Sequence, residues 1–327
     1  MIKKFIFILA VLISAQSFSQ RSTSSPYSYF GVGEEFGTRT VEQISMGSIG
    51  AAYSSPSYLN FINPASLSEL RLATYVFGVL NNDLTISDAD VNQSTNSTSL
   101  SYFSIAFPLS KKMAVVFGMQ PTSSVGYSLI NTLNDDEGNF EEITQYAGSG
   151  DVNRIYGGFG LKLFKGFSVG LELDFLFGNI QNNVLNIRDE VTLATKNVED
   201  SNVRGGSIKL GAQYKTTLTK DINLHVGASF KLGNSLNSTG TENLYSLSLG
   251  ASGFEQPRDT IFSGPLTANL ERPLETILGL GLGKTNKWYA GINYKTQDAL
   301  VASGYFDNSA ESFQYGQSNR ISAGGFY

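Results

Sequence analysis

Phe167-Ser168-Val169-Gly170-Leu171-Glu172-Leu173-Asp174-Phe175-Leu176-Phe177-Gly178 is the stretch on which the fold turns. Val169, Leu171, Leu173, Phe175 and Phe177 share one parity, while Ser168, Gly170, Glu172, Asp174 and Gly178 share the other. Successive side chains of a strand point to opposite faces, so this segment presents one face fit for lipid and one fit for water. A helix would scatter the same residues around its circumference. Residues 222–232 repeat the pattern, with Leu224, Val226, Ala228, Phe230 and Leu232 against Asn223, His225, Gly227, Ser229 and Lys231.

Outward from these two segments, weaker alternation predicts strands at 72–80, 99–107, 113–120, 154–163, 204–214, 276–283, 288–296 and 318–327, about ten in all. Their lengths approach the roughly 9–11 residues that a tilted strand needs to cross a bilayer. Short links at 110–112, 164–166, 215–221 and 284–287 all contain lysine, and long polar links at 81–98, 121–153, 179–203, 234–275 and 297–317 lie between them. Outer-membrane barrels alternate short periplasmic turns with long external loops in this way, whereas a soluble β-sandwich has no reason to.

The composition agrees. Aromatic residues make up 12% of the 327 and charged residues only 16%, where a soluble domain carries about 25% charged. No run beyond the N-terminus approaches the roughly 20 apolar residues of a membrane helix, and the mean hydropathy is −0.08. Residues 1–20 carry Lys3 and Lys4, an apolar run from Phe5 to Ile13, and Ser17 and Ser19 at a spacing suited to signal peptidase, which predicts export and a mature chain beginning near Gln20. Cysteine is absent, so neither disulfides nor thiolate metal sites can form. A net charge of −5 leaves no basic surface for a nucleic-acid backbone. The expected class is therefore all-β: an antiparallel transmembrane β-barrel, surrounded by outer-membrane lipids and lipopolysaccharide.

Residues 21–71 fit no strand pattern. They contain Ser45-Met46-Gly47-Ser48-Ile49-Gly50-Ala51-Ala52 and then Asn60-Phe61-Ile62-Asn63-Pro64-Ala65-Ser66-Leu67. A small-residue stretch leading to Asn-Pro-Ala before the first strand resembles the N-terminal region of the long-chain fatty acid transporter family (FadL). That resemblance implies a hatch at 21–71 plugging a barrel at 72–327, with Asn63, Pro64 and Ala65 as its ligand-binding or gating residues. It also implies a fourteen-stranded wall, so the ten visible strands ending at Gly324-Gly325-Phe326-Tyr327 suggest a barrel cut short at its C-terminal end. A second, PorV-like branch of the family serves as partner of a protein-secretion translocon. On physical grounds Asn63-Pro64-Ala65 is a turn, because proline fixes φ and asparagine bonds its own backbone.

Catalytic chemistry finds little to work with. His225, the one histidine, shares the polar face of its strand with Ser229, but no nucleophile elbow accompanies them. The acidic run Asn134-Asp135-Asp136-Glu137-Gly138-Asn139 lacks the spacing of a calcium loop and reads as a solvated turn. Glu172 and Asp174 share the lumen face with Lys209, Lys231 and Lys295, which suits complementary charge rather than acid–base work. Trp288, Tyr289 and Tyr294 are expected to anchor the wall at the membrane interfaces. The sequence thus predicts no enzyme, metal or cofactor. The leading expectation is uptake of small hydrophobic molecules such as fatty acids through the plugged barrel; the alternative is a scaffold whose external loops hold a protein partner, and an outer-membrane enzyme would rest on His225 alone. A greasy pocket behind the hatch would mark the first; a filled lumen and apolar external segments would mark the second.

Overall fold

The computed structural model describes residues 23–87, 92–250, 253–285, 287–307 and 315–327; the expected export signal at 1–20 lies outside them. The strand-forming alternation produces a single antiparallel sheet. Its continuous path joins β2 (Thr74–Ser87), β3 (Asn92–Ser110), β4 (Met113–Asn134), β5 (Phe140–Phe164), β6 (Phe167–Arg188), β7 (Ala194–Thr217), β8 (Asn223–Lys231), β11 (Glu275–Lys284), β12 (Trp288–Gln297) and β14 (Ser318–Phe326). Each of the ten segments expected from parity contributes to one of these strands, and each of the four lysine-bearing links is a tight connection. Outside and inside are sharply separated on β6: Leu173 and Phe175 are 52% and 54% exposed, while Glu172 and Asp174, which alternate with them, are 3% and 6% exposed. The exposed apolar face is the lipid face of a barrel wall.

The long links are the main correction. Residues 121–153, 179–203 and 234–275 are not loops but continuations of the strands and a further hairpin. β5 alone has 25 residues, about 80 Å of strand at ~3.3 Å per residue, far more than an apolar band ~25 Å tall requires. An additional hairpin, β9 (Asn234–Leu249) and β10 (Glu255–Arg272), forms an upper tier: the C-terminal half of β7 pairs with β8, and its N-terminal half pairs with β9. β10 in turn pairs with the short β13 (Val301–Gly304). The upper strands stayed hidden from periodicity because much of their alternation has gone. A segment such as 181–188 is part-exposed or exposed at every position, so backbone pairing, rather than a buried stripe, holds it.

β3 and β4 separate part-way up. Their register ends at Phe103 opposite Met119, beyond which β3 pairs with β2, and β4 with β5. The freed upper edge of β4 is occupied by the N-terminal segment. There β1 (Glu34–Glu35) pairs with Ser124 and Ser123, the Phe36 amide donates to the Thr122 carbonyl at 2.8 Å, and the Gly126 amide donates to Ser28 Oγ at 3.0 Å. A strand edge facing a low-dielectric interior would otherwise leave costly unpaired amides.

The rest of the N-terminal segment lies on the inner face of the wall. It contains one short helix, α1 (Val41–Ser45), with a reciprocal capping box between Thr40 and Gln43, and a 3-10 turn, Pro64–Glu69, capped by Asn63. No helix among the described residues is long and apolar enough to cross a membrane.

Candidate functional site

Asn63, Pro64 and Ala65 sit at the centre of the lumen contacts. Asn63 is fully buried; its Nδ2 donates to the carbonyls of Ala51 at 2.7 Å and of Ala212 and Ala228 at 3.1 Å each, and its Oδ1 accepts from the Ala65 amide at 3.0 Å. Proline follows at the first position of the turn, where its missing N–H costs nothing. The wall makes room with glycine. A Cβ on Gly170 would come within 2.3 Å of the Ala65 amide nitrogen, one on Gly211 within 2.1 Å of Asn63 Oδ1, and one on Gly227 within 1.9 Å of the Ala51 carbonyl oxygen. Gly160, Gly170 and Gly211 are direct register partners on β5, β6 and β7, so the cradle runs across adjacent strands at one height.

Two residues that parity reading passed over knit the segment to itself. Gln43 Nε2 donates to Asn60 Oδ1 at 2.6 Å, and Asn60 Nδ2 donates to the carbonyls of Gly50 and Tyr53 at 2.7 and 2.8 Å. From the wall, Gln213 Nε2 donates to the Ala51 and Tyr53 carbonyls, and Lys209 Nζ to the Phe61 carbonyl at 3.1 Å.

Above the cradle lies a buried charge network. Arg154, with no exposed surface, bonds Glu172 at 2.8 Å, Asp174 at 2.9 Å and Gln120 Oε1 at 2.8 Å, and its guanidinium stands 4.4 Å from the centre of the Tyr156 ring. Lys209 closes on Glu172 at 2.6 Å, and Ser207 donates to Asp174 at 2.7 Å. The pair Glu172 and Asp174 is thus neutralised by cations rather than arranged for proton transfer. Arg154 is the member that sequence reading missed. Its signal was the tight link at 165–166, whose register sets it opposite Leu176, a position with the same parity as the two carboxylates.

Beside the network the lumen holds a cavity of about 120 Å³. Seven cationic side chains line it, with two carboxylates, Glu35 and Glu275. Apolar-ligand pockets usually enclose about 300–1,000 Å³ and are lined by hydrophobic side chains. Higher up, the Tyr305 hydroxyl bonds Ser201 Oγ at 2.6 Å and Ser238 Oγ at 2.9 Å, and Phe306 packs into an interior cluster with Val32, Val125, Val152 and Leu270. Among the described residues, Tyr305 and Phe306 thus pack the interior at the upper tier, and the N-terminal segment packs it at the cradle.

Other expected residues fall elsewhere. His225 and Ser229 share a strand face but make no hydrogen bond to each other; four residues of strand separate them by about 13 Å, and His225 packs edge-on to Tyr289 at 5.3 Å. Tyr289 is not an interfacial anchor. It is 5% exposed and packs inside against Tyr53 of the N-terminal segment, the two rings tilted at 56°, because its parity on β12 points inward. The acidic run closes the β4–β5 hairpin, with Asn134 ending β4 and residues 135–139 forming the turn, and among the described residues no group of three His, Asp or Glu could hold a metal.

Among solved structures, the CymD monoaromatic hydrocarbon channel matches with a TM-score of 0.54 at 16% identity, covering 87% of this chain and 78% of that one. The toluene transporter TodX of Pseudomonas putida matches with a TM-score of 0.50 at 15% identity, covering 88% and 75%. These likenesses establish a shared barrel fold. No curated protein matches in sequence. A profile of the BamG family matches residues 1–327, and the chain therefore belongs to the BamG family.

Proposed function

We propose that this chain is an outer-membrane barrel, exported by the signal at 1–20, in which residues 21–71 act as a plug. It serves as a non-catalytic scaffold or accessory of the machinery that secretes or inserts outer-membrane proteins. The observation that carries the reading is the interior: a cavity of about 120 Å³ whose lining includes seven cationic side chains and two carboxylates, behind a segment pinned by Asn63 to two wall strands. Apolar side chains are instead displayed on the tall hairpins, where Ile130 is 64% exposed, Phe254 65% and Ile261 58%. Large apolar groups left in water above a membrane are the raw material of a protein interface.

The competing reading is uptake of small hydrophobic molecules such as fatty acids, with Asn63, Pro64 and Ala65 as the moving part of a hatch. The barrel fold shared with CymD and TodX favours it. Native mass spectrometry after purification in mild detergent separates the two. A one-to-one protein partner that is lost when Phe254 and Ile261 are changed to Asp supports the scaffold. A fatty acid retained by an otherwise solitary barrel, and lost in Asn63→Ala, replaces it with uptake.

A further inference from the structure

The lumen cavity has more donors than acceptors. Arg272, whose side chain is 9% exposed, gives one nitrogen to Glu35 at 2.8 Å and leaves its Nε without an acceptor. Asn234, its register partner across β9 and β10, has an unpartnered Nδ2. Lys231, three residues before Asn234 in the chain, has no carboxylate within ion-pair distance among the described residues. Glu275, opposite it in register, is engaged by Lys295 at 2.6 Å. Arg39, on the N-terminal segment, reaches only Ser48 Oγ, at 3.4 Å. Burial and the nearby Arg320 guanidinium disfavour its charge, with Glu275 partly offsetting them. All four donors line the same cavity.

Buried donors without acceptors are costly, and like charges gathered in one cavity repel. An anion with several acceptor oxygens removes both penalties, and guanidinium forks match such an anion well. A volume of about 120 Å³ is well below the roughly 300–1,000 Å³ of pockets for larger ligands, which suits a compact oxyanion better than an acyl chain. We infer that the lumen binds a phosphate-type oxyanion between Arg39, Lys231, Asn234 and Arg272, joining the N-terminal segment to the junction of β8, β9 and β10.

The test is thermal unfolding of the full chain in mild detergent, titrated with inorganic phosphate, with dihexanoyl phosphatidic acid, and with sodium chloride at matched ionic strength. Saturating phosphate is expected to raise the melting temperature by about 5 °C beyond chloride, since a ligand of the native state stabilises by mass action. Arg39→Gln and Lys231→Gln should each weaken the apparent Kd more than tenfold. Lys231→Gln removes a cation from a cationic site, so the ligand-free protein should fold at least as well as the parent. A response to phosphatidic acid alone, with the same sensitivity to both variants, assigns the phosphate to a lipid headgroup. A phosphate effect no greater than that of chloride, or an unchanged Kd in both variants, overturns the site.

Discussion

Asn63 Nδ2 lies 3.1 Å from the carbonyl oxygen of Ala228, a hydrogen bond spanning 165 residues of sequence. It ties the N-terminal segment to the eighth strand. Removing the amide strands the carbonyl acceptors and the Ala65 donor in a buried site, which costs about 1–3 kcal/mol. Asn63→Ala should lower the melting temperature and open the segment around 21–71 to protease at sites the parent protects. An unchanged digestion pattern would remove Asn63 as the pin.

The glycine cradle can be tested with an internal control. Gly170→Ala drives a Cβ to within 2.3 Å of the Ala65 nitrogen, whereas at Gly206 the nearest atom would lie at 3.5 Å, ordinary contact. Gly170→Ala should release the segment, read as faster hydrogen exchange of the amides at 60–66. Gly206→Ala should stay within about 0.5 kcal/mol of the parent. Equal effects of the two would mean that glycine serves the strands and not the cradle.

Arg154→Met leaves Glu172 and Asp174 short of their shared cation in a buried site. Breaking such a network by removing one partner costs about 3–5 kcal/mol. Adding Glu172→Gln and Asp174→Asn to that variant should recover most of the loss, measured as the temperature at which the folded band disappears in semi-native electrophoresis. Failure of the triple variant to recover would show that Arg154 acts through packing against Tyr156 instead.

Asp135 gives a pH-dependent prediction at the tip of the β4–β5 hairpin. Its carboxylate accepts from the Asn139 side chain at 3.0 Å and from the Asn139 and Glu137 amides at 2.7 and 3.0 Å, which holds its pKa below the usual aspartate value. A depressed folded-state pKa contributes order that is present above the unfolded value of about 3.9 and is lost as pH falls through the folded one. Amide exchange at 135–139 should therefore accelerate, relative to the neighbouring strands, only under acid. In Asp135→Ala the same amides should be fast at neutral pH as well.

These sites differ in how far sequence reveals them. Residues 167–178 were legible because their two faces meet different media, and Asn63-Pro64 because a proline after a capping asparagine is a local signal. Residues 181–188 were not, since their side chains are part-exposed on both faces and carry little record of the strand. Arg154 escaped because its burial depends on carboxylates of the next strand. Gln43 and Asn60 escaped because two amides 17 residues apart in a glycine-rich stretch show nothing of their pairing until the chain is folded.

The parting of β3 from β4 above Phe103 and Met119 bears on chronology. The residues that finish β4's upper edge are synthesised first, yet Ala212 and Ala228, which seat the neighbouring turn, are made long after β4 itself. Contacts of such long sequence separation form late, because the loop entropy is lost before they can repay it. The early strands must therefore stand for a time around a vacant interior with one unfinished edge. Any chaperone or insertion factor that covers that edge has its interval then, and the interval ends when Asn63 meets β8.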